Sequence, residues 1–104
     1  MIRFIPYETN KMKAFEADSE IGTISFEING FDMTIKSLSA DDDIIAEGLI
    51  RSALNYGANR GAYIAKVGNG IYENVFRRLG FKGDNILSAE IPEALTGCCC
   101  SHGN

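Results

Sequence analysis

The sequence predicts one α+β domain, a mixed and largely antiparallel sheet carrying two helices. Three features lead there. Ile24, Phe26 and Ile28 alternate with polar residues, as do Phe31, Met33 and Ile35, and Asn29-Gly30 between them suits a tight turn. Ile45, Leu49, Ala53 and Tyr56 then recur at helical spacing. Ala62 to Val67, a short apolar run after that helix, fits a buried strand lying parallel to an earlier one. A chain of 104 residues has room for one hydrophobic core and not for two.

In chain order, Ile2, Phe4 and Pro6 begin a strand, and the proline suits a sheet edge. Lys13 to Ala17 is a second short strand, closed by the polar turn Asp18-Ser19-Glu20. The hairpin follows. Its returning strand has apolar residues at 31, 33 and 35 and then at 38, so either a β-bulge lies near Lys36 and Ser37 or the strand stops at Lys36. Ser39 with Asp42 resembles a capping box, and Asp41, Asp42 and Asp43 suit the positive end of a helix running from about Asp41 to Asn59. Gly61 ends that helix. After the parallel strand, Gly68-Asn69-Gly70 breaks the chain, with Asn69 placed to cap a second helix. Ile71, Val75 and Leu79 form that helix's apolar face, and Gly80 stands where a terminating glycine belongs. Phe81 and then Ile86 to Ile91 complete the sheet. Residues 1–95 form the domain and residues 96–104 a cysteine-rich tail.

Charge and composition narrow the function. A formal net charge of −4 gives no general attraction to a phosphate backbone or an anionic bilayer, so neither nucleic acid nor membrane is expected as a partner. The N-terminal apolar run is too short for a signal peptide and no stretch is long enough to cross a bilayer, so a cytoplasmic location is expected. Cys98, Cys99 and Cys100 sit together and cannot staple distant parts of a core. With only two helices for six or so strands, apolar sheet surface is expected to remain uncovered, which predicts a homodimer.

Several motifs, in order, resemble the GNAT superfamily of acyl-CoA N-acyltransferases in shortened form. Ala14-Phe15-Glu16-Ala17-Asp18-Ser19-Glu20-Ile21-Gly22 is similar to its strand, acidic turn and return. Ile35-Lys36-Ser37-Leu38 resembles the central strand whose bulge parts two parallel strands and makes the cofactor cleft. Asn69 and, seven residues on, Phe76-Arg77-Arg78-Leu79-Gly80-Phe81 match the spacing of the late signature, an asparagine and then Tyr-x-Lys-Leu-Gly-Phe. The resemblance implies acetyl-CoA as cofactor, its pantetheine gripped along Leu38 and Ala40 with help from Asn69 and Phe76, and acetyl transfer to an amine.

Three departures shape the functional reading. The family seats pyrophosphate on a glycine-rich, arginine-bearing loop opening the first long helix, using backbone N–H groups and the helix dipole. Here that stretch reads Ala40-Asp41-Asp42-Asp43-Ile44-Ile45-Ala46-Glu47-Gly48, which is shorter, acidic and without arginine. The family's tyrosine, often the acid for the departing thiolate, is Phe76, leaving Tyr72 one turn earlier as the nearest phenol for a catalytic role. The two helices that follow the first strand in the family are missing, because only Glu8 to Met12 separate the first two strands. The favoured reading is a degenerate GNAT-like domain that binds a ligand or partner without acetyl transfer. An acyl-CoA-dependent N-acetyltransferase is the alternative. In an extended tail, Cys98, Cys100 and His102 project to one side, a donor set that suits Zn²⁺ or Cu(I), whereas an idle, reduced terminus is the plain alternative.

Overall fold

The computed structural model describes residues 2–8, 10–68 and 70–97. Six strands form one sheet in chain order: β1 (Ile2–Tyr7), β2 (Lys11–Glu16), β3 (Ser19–Asn29), β4 (Asp32–Ala40), β5 (Ile64–Gly68) and β6 (Ile86–Glu90). Four of the five strand pairs are antiparallel, and β4 with β5 is parallel. Pro6 lies on the edge strand β1, opposite Met12. Only residues 8–10 lie between β1 and β2, so no helix intervenes.

The hairpin forms as its alternation predicts, but its turn is one residue later than expected: Asn29 pairs with Asp32, and the exposed Phe31 stands in the two-residue turn Gly30-Phe31 instead of in the returning strand. Gly30 takes φ 63°, the left-handed value that favours glycine at the first turn position. On β4 the register runs from Ser25–Ser37 to Phe26–Ile35, so Lys36 is the extra residue of a bulge and the strand continues to Ala40.

Three helices accompany the sheet: α1 (Asp43–Asn59), α2 (Glu73–Arg78) and α3 (Ile91–Gly97). Ile45, Leu49 and Ala53 are buried as the spacing predicts, and Ala46, Ile50, Leu54 and Gly57 widen the stripe. The cap of α1 is Asp42 rather than Ser39: the Asp42 carboxylate accepts from the Ile45 N–H at 2.9 Å. α2 starts later than expected and buries Val75 and Phe76, with Leu79 at its end. α3 adds a third helix and runs two residues past Leu95, where the tail was expected to begin.

All three helices contribute to one core with Met12, Ala14, Ile24, Phe26, Met33, Ile35, Val67 and Leu87, so they cover the same face of the sheet. The opposite face follows from the register. Its rows run Ile5–Lys13–Thr23, then Tyr7–Lys11–Ser25–Ser37, then Glu27–Thr34–Lys66–Ser88. That face is polar over most of its area, and Lys13 there pairs with Glu20 at 3.1 Å and lies over the Tyr7 ring. The uncovered surface is therefore not the broad apolar face from which a homodimer was expected. A strand with one face in water needs polar residues there, and β2 to β6 supply them.

Candidate functional site

The site begins at the bulge. β4 pairs with β5 from Asp32–Ile64 to Ile35–Val67, and the ladder stops there. From Lys36 to Ala40 the β5-facing edge of β4 has no strand beside it, about 17 Å of edge at ~3.3 Å per residue. The inserted Lys36 stands where β4 parts from β5, so the gap between the two strands beyond it is the candidate cleft.

Backbone alternation decides which groups face that cleft. The Asp41 N–H donates to the Ile21 carbonyl at 3.0 Å, so Asp41 turns its main chain toward β3. Ala40, opposite Gly22, therefore turns its N–H and C=O the other way, and so does Leu38 opposite Ile24. Tyr72 meets Ala40 there. The Ala40 N–H donates to the Tyr72 hydroxyl at 3.0 Å, and the hydroxyl donates to the Ala40 carbonyl at 3.2 Å. Tyr72 is itself left-handed (φ 45°, ψ 44°), a conformation costing a non-glycine residue about 1–2 kcal/mol. The phenol that the sequence offered for catalysis thus lies in the cleft, with both its acceptor and its proton engaged by the main chain.

At the end of the same edge stands the start of α1. The Asp42 cap occupies the Ile45 N–H, and Asp41 and Asp43 flank it. A phosphate brought to such carboxylates is repelled by about 4 kcal/mol per pair at ~4 Å for an effective dielectric of ~20. Arg51 and Arg78, on α1 and α2, both contact Glu47, at 3.0 and 3.5 Å, and Arg77 contacts Glu73 at 2.9 Å. These are half-exposed surface pairs, each worth roughly 0–1 kcal/mol. Among the described residues no three His, Cys, Asp or Glu side chains come together as a metal set.

Of the residues singled out from sequence, Leu38, Ala40 and Tyr72 come together at the cleft. Phe76 does not open onto it: its ring is fully buried, edge-on to Phe81 at 4.9 Å and 72°. Asn69, Cys98, Cys100 and His102 lie outside the described residues. Away from the cleft, Tyr63 is hydrogen-bonded to Glu90 at 3.1 Å, and that bond and the charge of Glu90 raise its phenol above the usual value. Two features escaped the sequence reading. The Asp42 cap was signalled by an Asp directly before the apolar helical run. The Tyr72–Ala40 contact joins residues 32 apart and had no local signal.

No family model matches the sequence, and no curated protein matches it. Solved structures do match the fold. Over 83% of this chain and 72% of the other, the ribosomal-protein-S18-alanine N-acetyltransferase of Escherichia coli aligns with a TM-score of 0.68 at 12% identity. The aminoglycoside 6'-N-acetyltransferase of Enterococcus faecium gives 0.69 at 13% identity, covering 78% and 73%. A GNAT family acetyltransferase from Brucella melitensis, solved with acetyl-CoA, gives 0.65 at 20% identity, covering 77% of this chain and 56% of that one. The chain has the GNAT acetyltransferase fold. No helix among the described residues is long and apolar enough to cross a membrane.

Proposed function

We propose that this chain is a GNAT-fold binding module that does not transfer acetyl groups, and that its ligand lies along the cleft edge of β4. The observation that carries the proposal is the Asp42 carboxylate on the Ile45 N–H at 2.9 Å. The resemblance puts acyl-CoA pyrophosphate at this helix start, and an anion there needs N–H groups and a dipole, of which the Asp42 carboxylate already takes the Ile45 N–H with Asp41 and Asp43 beside it. Phe76, which has no proton to give, and the engaged hydroxyl of Tyr72 support the same reading. The free edge at Leu38 is what remains for binding: main-chain groups that face a cleft can pair with an extended ligand as a strand would.

The test is a thiol-release assay with acetyl-CoA and a panel of primary amines. Release at the enzyme-free rate is expected with every amine. Saturable, amine-dependent release of CoA would contradict the proposal and restore the acetyltransferase reading.

A further inference from the structure

A bare strand edge carries main-chain donors and acceptors in want of partners, and folded proteins rarely leave one uncovered. At Ala40 the Tyr72 hydroxyl serves the edge of β4, and on the outer side of β6 the main chains of Lys82 and Ser88 exchange both hydrogen bonds. The outer edge of β1, at the other end of the sheet, remains. We propose that this edge pairs with the same edge of a second copy, antiparallel about a two-fold axis at Phe4, so that the two sheets become one. The dimer expected from the sequence then forms at an edge rather than across a face.

Backbone alternation fixes which groups of β1 point outward. The Phe26 N–H donates to the Asn10 carbonyl at 2.9 Å, so Met12 and Ala14 turn their main chain toward β3, and Lys11 and Lys13 toward β1. Tyr7 and Ile5, opposite those lysines, are bonded to β2, which leaves Ile2, Phe4 and Pro6 facing outward. Pro6 agrees with this, since a residue without an N–H belongs where no ladder bond is lost.

The outward inventory is therefore the N–H groups of Ile2 and Phe4 and the carbonyls of Ile2, Phe4 and Pro6. With Phe4 opposite Phe4 of the second copy, those two residues exchange both bonds, and each Ile2 N–H meets a Pro6 carbonyl. Both donors are used, and the missing N–H of Pro6 costs only the Ile2 carbonyl at the end of the ladder. The side chains fit the same register. On the core side Ile2 lies across from Pro6 and Phe4 across from Phe4, so one apolar row continues into the next. On the other face Arg3 lies across from Ile5 and not from Arg3. No acid stands between Ile2 and Tyr7, so the net charge of −4 per copy is not opposed at the edge. Exposure favours the same place. Of the seven large apolar side chains exposed among the described residues, Ile2, Ile5 and Tyr7 are on β1, and Ile44 lines the groove beside Ile2 and Phe4. α1 meets this row at Phe4, whose ring lies against Gly48, while Ile2 and Pro6 stay exposed.

Equilibrium sedimentation and amide exchange by NMR test this on the full chain under reducing conditions, with the wild type, Ile2→Pro and Phe31→Ser. The wild type is expected to be a dimer at high micromolar concentration. Its Phe4 amide is expected to exchange at least roughly tenfold more slowly there than on dilution, while the Ile5 amide, bonded to β2, stays protected throughout. Ile2→Pro removes one outward N–H from each copy and is expected to weaken the dimer roughly ten- to a hundredfold, as two lost hydrogen bonds would. Phe31→Ser, at an exposed residue of the β3–β4 turn, is expected to leave it unchanged. A monomer at high micromolar concentration overturns the inference, even where a strand of another protein binds β1. A dimer whose Phe4 amide exchanges freely overturns it too, because the contact then lies elsewhere. An effect of Ile2→Pro no larger than that of Phe31→Ser does the same, since the ladder then does not hold the copies together.

Discussion

Phe76→Ala is expected to lower the unfolding free energy by about 3–5 kcal/mol, the cost of deleting a fully buried aromatic ring. A domain of this size has only about 5–15 kcal/mol in hand. The loss follows from position. Phe76 is 0% exposed, its ring meets Phe81 edge-on, and its carbonyl accepts from the Leu79 and Phe81 N–H groups as the chain leaves α2. α2 has six residues, too few to hold as a helix without such an anchor. Urea unfolding measures it, as a lower midpoint with the slope retained. A loss below about 1 kcal/mol would place the ring at the surface or in the cleft instead.

Gly22→Val is expected to cost about 1–3 kcal/mol through overpacking, although valine is the better strand residue. A Cβ at Gly22 would stand 2.8 Å from Leu49 Cδ1, 3.0 Å from the Ser39 carbonyl oxygen and 3.2 Å from Ile45 Cγ2. Leucine can turn aside, but the Ser39 carbonyl belongs to the central strand and cannot. The Leu49 and Ile45 contacts are relieved by lifting α1 from β3, which would also shift the Asp42 cap at the head of the cleft, while the Ser39 contact remains. Thermal unfolding at wild-type temperature would show that α1 does not lie on β3 in this way.

The sequence made the strands legible because a half-buried strand writes its burial into residue parity. Parity left either a bulge near Lys36 and Ser37 or a strand ending at Lys36, since residues 35 and 38 cannot share a face of an unbroken strand, and the register decides for the bulge. The parallel strand was readable from a short apolar run after a helix. The third helix was missed although Ile91, Ala94 and Leu95 keep helical spacing and Pro92 suits a first turn, because a run of five apolar-rich residues before it reads equally as more strand. The polarity of the open face is legible too, in Lys11, Lys13, Ser25 and Thr34. For the site, Leu38 and Ala40 came from the resemblance, and the register sets both past the bulge on the open edge of β4. The roles of Tyr72 and Phe76 were not separable, because both lie on one short segment and only the tertiary structure decides which faces the core. One residue points to the cleft and the other is buried beside Phe81.

The central claim is that the start of α1 has exchanged an anion site for its own carboxylates. Calorimetric titration of the wild-type protein with acetyl-CoA tests it most directly. The account predicts no saturable heat, because Asp41, Asp42 and Asp43 meet the pyrophosphate where N–H groups would be needed. A dissociation constant in the low micromolar range would contradict it.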